Sequence, residues 1–205
     1  MKHMETEYKW EANIPRDFYR AKQTLTNLCG EIPSQKLHIK DTYLDDPQHN
    51  LSKQRIALRV RNTDGKWEAT FKTRTQIKNG KATRREETLS LTAHTQAQAI
   101  AQLQRKKTWK GLDVSRLRKQ FEIKNTRTIF QFVFDGANVE MALDKVCVCV
   151  CGRQVSFKEI ELELKHGSSK SFDRFAKLFS QQTQLKRATF SKVKTAETFL
   201  KLWKK

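Results

Sequence analysis

Proline and glycine are scarce in this chain of 205 residues, at three and seven, so neither a flexible linker nor a proline-rich spacer divides it. No internal repeat is found, which excludes a solenoid. The length suffices to bury a sizeable core, and one domain over residues 1–205 is expected. No apolar run approaches the ~20 residues that span a bilayer as a helix, and the N-terminus lacks a signal-peptide core. A soluble, cytoplasmic protein with no membrane partner is therefore expected. Cysteine is limited to four residues, too few for a disulfide-stapled scaffold of this size.

Acids are also in deficit, 22 against 41 lysines and arginines, for a net charge of +19. That imbalance predicts attraction to polyanions such as polyphosphate, nucleotides or nucleic acid, without choosing among them. Three of the cysteines fall in "VCVCVCG". Cys147, Cys149 and Cys151 alternate along an expected strand, with 147 and 151 roughly 14 Å apart. One tetrahedral zinc cannot span that distance, and next-but-one strand residues make a poor disulfide. Small buried thiols are expected.

Helices are expected over "IPRDFYRAKQTLTNLCGEIP", with Pro15 in the first turn and Gly30 past the end, over 93–106, over "SSKSFDRFAKLFSQQT", and from Ser191 to Trp203. "TDGK" and "KNGK" read as hairpin turns. Strand patterns recur in "KLHIKDTYLDD", "RIALRVRN", "WEATFKTRT", "TRREETLSL", "RKQFEIKN", "RTIFQFVFDG", "NVEMALDK", "VCVCVCG" and "SFKEIELELK". Many antiparallel strands with a few helices imply an α+β domain on one large, curved sheet.

The polar faces of these strands are unusual. In "METEYKW", His3, Glu5, Glu7 and Lys9 share a face, opposite Met4, Thr6, Tyr8 and Trp10. Two neighbouring carboxylates need compensation from water or a cation. Arg59 pairs with Arg61, Lys72 with Glu68, Arg85 with Glu87, and Glu140 with Asp144 in the same alternation. Glu159, Glu161 and Glu163 line one face of "EIELEL". A sheet with a wet polar face would explain any single strand. A barrel closed with its charges inside would explain them all, and would suit a highly charged anion accompanied by divalent metal.

These residues, in this order, resemble the CYTH family, the triphosphate tunnel metalloenzymes. The family's ExExK opening is present as Glu5-Thr6-Glu7-Tyr8-Lys9. Its "YxDTP…L…LRxR" segment is similar to "YLDDPQHNLSKQRIALRVR", with Tyr43, Asp45, Pro47, Leu51, Arg59 and Arg61 in place and Leu44 and Asp46 departing from the pattern. "TFK" supplies Lys72, "RREE" Arg85 with Glu87, "TRTIF" Arg127, "VEMALD" Glu140 and Asp144, and "TFSK" Lys192. Within that family the chain is most similar to the bacterial inorganic triphosphatases.

The resemblance implies an eight-stranded antiparallel β-barrel tunnel with a charged interior, flanked by helices, that hydrolyses inorganic triphosphate to pyrophosphate and phosphate. It implies that Lys9, Arg59, Arg61, Lys72, Arg85, Arg127 and Lys192 bind phosphate oxygens. Glu5, Glu7, Glu161 and Glu163 would hold Mg²⁺ or Mn²⁺. Glu140, Asp144 and Glu161 would serve catalysis, near a second metal that activates water. Class IV adenylate cyclases and thiamine triphosphatases share the motif set. A non-catalytic module binding polyphosphate or RNA through its basic surface is the remaining alternative, less favoured because such a binder gains nothing from burying carboxylates.

Overall fold

The computed structural model describes residues 2–203. Its strands are β1 (Lys2–Glu11), β2 (Ser34–Asp45), β3 (Ala57–Thr63), β4 (Lys66–Lys72), β5 (Gln76–Lys78), β6 (Lys81–Leu91), β7 (Thr108–Trp109), β8 (Leu112–Asp113), β9 (Arg118–Phe134), β10 (Ala137–Val150) and β11 (Arg153–Gly167). Its helices are α1 (Pro15–Cys29), α2 (Asn50–Lys53), α3 (Gln96–Gln104), α4 (Ser169–Thr183) and α5 (Lys192–Trp203). Eight antiparallel strands run in the order β1-β11-β10-β9-β2-β3-β4-β6, and β6 pairs back onto β1 to close the barrel. The short β5 extends from β6, and β7 and β8 form a separate hairpin.

Local chemistry sets the connections. Asp64-Gly65, Asn79-Gly80, Asp135-Gly136 and Cys151-Gly152 all hold positive φ, the requirement of tight hairpin turns that match strand twist. The carboxylate of Asp17 accepts the N–H groups of Asn13 (2.8 Å) and Ile14 (3.0 Å) and so caps α1. Strand β11 ends at Gly167, with φ +97°, where a Cβ would lie 2.1 Å from the carbonyl oxygen of Gly136. Only glycine fits there.

The outward faces build two apolar layers. Tyr8 and Trp10, Phe130 and Phe132, Met141 and Leu162 pack beneath Leu25 of α1 and Phe172, Phe175 and Phe179 of α4. Leu58, Val60, Phe71 and Leu91 pack beneath Ala99 and Leu103 of α3. A third cluster joins Tyr43, Phe121, Ile123, Val146, Val148 and Val150 to Ala196 and Leu200 of α5. The valines share strand parity with Asp144, so this cluster lies on the barrel's inner face and α5 fills one end of it.

Three details differ from the sequence expectation. "RKQFEIKN" and "RTIFQFVFDG" form the single strand β9, and "NVEMALDK" and "VCVCVC" run together through β10. No glycine or proline separates them, and the residues at both junctions, 125–127 and 145–147, are paired on both sides. Cys151 is exposed in the left-handed position of a hairpin turn, and Cys147 and Cys149 are half-buried on the outer face with sulfurs 3.9 Å apart. No described helix is long and apolar enough to cross a membrane.

Candidate functional site

The barrel encloses a cavity of about 500 Å³. Strand β1 turns His3, Glu5, Glu7 and Lys9 into it, and alternation does the same on the other strands. Eight lysine and arginine side chains line it, against seven glutamates. Asp41, Asp144 and Glu159 are buried directly behind these cations. Against a chain of net charge +19, the tunnel interior therefore carries more carboxylates than cations.

The charges are held in place by each other. Arg61 grips Asp41 with two bonds of 2.6 and 2.7 Å, and Arg59 reaches the same carboxylate at 3.4 Å. Arg84 contacts Glu5 at 2.5 Å and Glu86 at 3.0 Å, and Lys72 pairs with Glu86 and, at 3.6 Å, with Glu5. Lys9 lies 2.5 Å from Glu161 and 3.3 Å from Glu7. Arg127 binds Asp144 bidentately, at 2.8 and 2.6 Å, and also Glu161. Lys192, at the start of α5, gathers Asp144 (2.7 Å), Glu161 (2.9 Å) and Glu159.

Burial and these partners set the protonation states. Burial would raise the Asp41 carboxyl, but Arg59 and Arg61 overcome it and hold the group well below its ordinary range. Burial, reinforced by repulsion from Arg59 and Arg84, lowers Lys72 to about 8. Burial raises Glu159 to about 7 despite Lys192. The Nε of Arg59 and the Oδ1 of Asn125 are buried without a hydrogen-bond partner among the described residues. Both residues line the cavity, so each offers a ligand an unused polar atom.

The carboxylates fall into two groups. Asp144, Glu159 and Glu161 bring oxygens within 4.8 Å of one another, but Lys192 contacts all three, Arg127 two and Lys9 one. The second group follows strand register, in which Glu7 faces Glu163 across β1–β11 and Glu163 faces Glu140 across β11–β10. Its ion pairs are fewer, with Lys165 at 3.0 Å from Glu163 and 3.9 Å from Glu140, and Lys9 at 3.3 Å and Arg84 at 3.8 Å from Glu7. Burial raises the carboxyls of Glu7 and Glu163 against the pull of Lys9 and Lys165, and repulsion adds to it, from Glu5 and Glu161 on Glu7 and from Glu5 and Glu140 on Glu163. A row of hard oxygen donors short of positive charge fits a divalent cation such as Mg²⁺ or Mn²⁺.

The structure brings Lys9, Arg59, Arg61, Lys72, Arg127 and Lys192 to the cavity wall, together with Glu5, Glu7, Glu140, Glu161 and Glu163. Asp144 stands behind Arg127 and is fully buried. Arg85 does not join them. It is exposed on the outer face, and Glu87 accepts a bond from the Trp109 indole at 3.2 Å outside the barrel. Their neighbours Arg84 and Glu86 take the interior positions. In "RREE" either parity supplies a base and an acid, but Leu89 and Leu91 further along the strand pack into the outer layer. Odd positions of β6 therefore face out, a signal the sequence contains. Asp41 was also missed, because nothing in "HIKDTY" marks an aspartate two strand positions from Tyr43 as the anchor of two arginines. Of the two departures noted in the motif, Leu44 packs in the α3-side layer and Asp46 accepts the N–H of Asn50 at 3.0 Å.

The family model described as the CYTH domain matches residues 3–196. The inorganic triphosphatase of Haemophilus influenzae is 28% identical over 176 residues, 86% of this chain and 48% of the relative. The chain thus spans about half the length of the curated relative it matches. The solved structure of a Hippeastrum protein, described as an adenylyl cyclase candidate with a dominant triphosphatase activity, superposes with a TM-score of 0.69 at 17% identity, covering 95% of this chain and 96% of that one. An adenylate cyclase candidate from Bacillus halodurans gives 0.65 at 18% identity, over 95% and 97%. Both share the barrel fold.

Asp41 yields a test of the network itself. Its folded pKa is depressed, so its stabilisation is present above the ordinary aspartate value of about 3.9 and is lost as pH falls through the folded value. Asp41→Asn should lower unfolding free energy at pH 7 by about 3 kcal/mol, because Arg59 and Arg61 lose their counter-charge. Urea unfolding should show the gap to wild type narrowing as pH drops below about 4. A gap independent of pH would contradict the assignment.

Proposed function

The chain belongs to the CYTH domain family, and we propose that it hydrolyses inorganic triphosphate to pyrophosphate and phosphate within the barrel, using Mg²⁺ or Mn²⁺. The observation that carries this reading is the interior's charge balance, a full ring of cations set among an excess of carboxylates. Tripolyphosphate brings about four to five negative charges near neutral pH, and phosphoryl transfer depends on positioning and charge neutralisation. An interior already short of positive charge binds such an anion only weakly on its own. Divalent cations on the carboxylate row close that deficit, which a module that merely binds polyanions would not need.

The roles follow from position. Lys9, Arg59, Arg61, Arg127 and Lys192 offer phosphate oxygens the donors that their carboxylates leave free, and Lys72 and Arg84 exchange Glu5 for phosphate oxygens. Glu7 and Glu163, with Glu5 and Glu140 beside them, hold the metal. Glu5 becomes available as Lys72 and Arg84 turn to the substrate. Asp41, Asp144, Glu159 and Glu161 keep the cations oriented from behind. When bound, the ion neutralises phosphate charge and makes a coordinated water a stronger nucleophile. The name of the Haemophilus relative supports the choice of substrate.

Phosphate release should be measured from tripolyphosphate, ATP and thiamine triphosphate, each with Mg²⁺ and Mn²⁺. We expect metal-dependent release fastest from tripolyphosphate, with kcat/KM reduced about 100-fold or more in Glu7→Gln and in Arg84→Ala, and far less in Arg85→Ala. No release from any of the three by folded protein, or release indifferent to Glu7→Gln, would overturn the proposal.

A further inference from the structure

A second cavity, of about 770 Å³, adjoins the first. It lies between α5, α2 with its flanking loop, and the loop after β4. Lys72, Arg84, Ser191 and Val193 form walls of both, so the two compartments meet at the end of the barrel that α5 fills. The second one is lined by Lys53, Arg55, Arg74, Lys194 and Lys201, and Glu197 is the one acid among its described lining residues.

Its charges differ in kind from those of the tunnel. Every lysine and arginine lining the tunnel has a carboxylate within 4 Å. The five cations of the second cavity have no carboxylate within 4 Å among the described residues; Glu197 attracts Lys194 and Lys201, and Asp46 attracts Lys53, from farther away. Like charges converging on one space repel, and only an anion between them reverses the sign. Two further features sit on the same walls. His49 and Arg55, at either end of α2, both hold φ near +58°, a conformation that non-glycine residues rarely adopt and that clusters at ligand sites. The N-terminus of the 12-residue α5 opens at the shared wall, where Ser191 Oγ accepts the Lys194 N–H at 3.1 Å, and a helix start adds positive potential there.

We propose that this second cavity is a subsite for the continuing chain of a linear polyphosphate whose terminal phosphates occupy the tunnel. The inference rests on the tunnel being the phosphoanhydride site. A phosphate chain places about one negative charge on every repeat, matching a wall of successive unpaired cations. The lining carries no Phe, Tyr or Trp among its described residues, and His49 is its one aromatic ring, so it offers little stacking surface for successive bases of single-stranded RNA.

Isothermal titration of the metal-free protein, in which no metal-dependent turnover occurs, with tripolyphosphate and with long-chain linear polyphosphate tests the subsite. The long chain should bind about tenfold or more tightly than tripolyphosphate, with a steeper salt dependence. The triple variant Lys53→Glu, Arg74→Glu, Lys201→Glu should lose that preference. A control of equal charge, Lys22→Glu, Lys170→Glu, Lys177→Glu, exchanges exposed lysines elsewhere and should keep it. Thermal unfolding of both variants verifies that each is folded. No preference for the long chain, or equal loss in the two variants, would overturn the subsite. Absent phosphate release with the preference intact would instead remove the hydrolase reading and leave the subsite standing.

Discussion

Moving a carboxylate or an ammonium group out of water costs several kcal/mol even after the protein relaxes around it, and this barrel encloses them from all eight strands. Each charge must therefore meet an opposite charge, and many meet it in direct register on the neighbouring strand, as Asp41–Arg61, Lys72–Glu86, Arg127–Asp144 and Lys9–Glu161 do. That requirement organises the rest of the molecule. Inner faces spent on charge leave only the outer faces to build a core, so the apolar layers lie outside the barrel and α1, α3 and α4 must cover them. Closure through β6 and β1 leaves the polar face no open sheet edge. The inner face turns apolar where α5 fills the end of the barrel, and also at Leu37 and Ile39 of β2, which line the cavity.

Much of this was legible in the chain because strand alternation is strict. Glu5, Glu7 and Lys9, or Glu159, Glu161 and Glu163, cannot share one face without specifying what lies across from them. The motif order supplied the closure that alternation alone left open. What stayed hidden depends on parity or on partners distant in sequence. "RREE" reads equally well in either register until Leu89 and Leu91 decide it, which is how Arg85 was expected where Arg84 stands. Asp41 gains its meaning only when β3 brings Arg59 and Arg61 beside it. Val146, Val148 and Val150 look like an outer core strand, and only the docking of α5 shows why valines continue the face that holds Asp144.

Under the proposed function, the same network has to serve both an anion and a metal. The tunnel's lysines and arginines all contact carboxylates, so an arriving phosphate chain competes with those partners, above all with Glu5 for Lys72 and Arg84. Each cation it captures leaves a carboxylate uncompensated, and the interior already holds more acids than bases. Binding of the anion and of a divalent cation are therefore linked, each strengthening the other by the same free energy. The Glu7–Glu163–Glu140 row, where burial and repulsion raise the Glu7 and Glu163 carboxyls, is where we propose the linkage is strongest. The well-compensated Asp144–Glu159–Glu161 group holds Lys192 and Arg127 in position.

Crystals grown with Mn²⁺ and tripolyphosphate, with diffraction recorded at the manganese edge, test this exchange most directly. The account predicts manganese on the Glu7–Glu163 side of the lumen and phosphate oxygens on Arg59, Arg61, Lys72 and Arg84. The contacts of Lys72 and Arg84 to Glu5 should be broken in that complex. Manganese within the Asp144–Glu159–Glu161 group, or an anion bound outside a tunnel whose ion pairs remain intact, would contradict it.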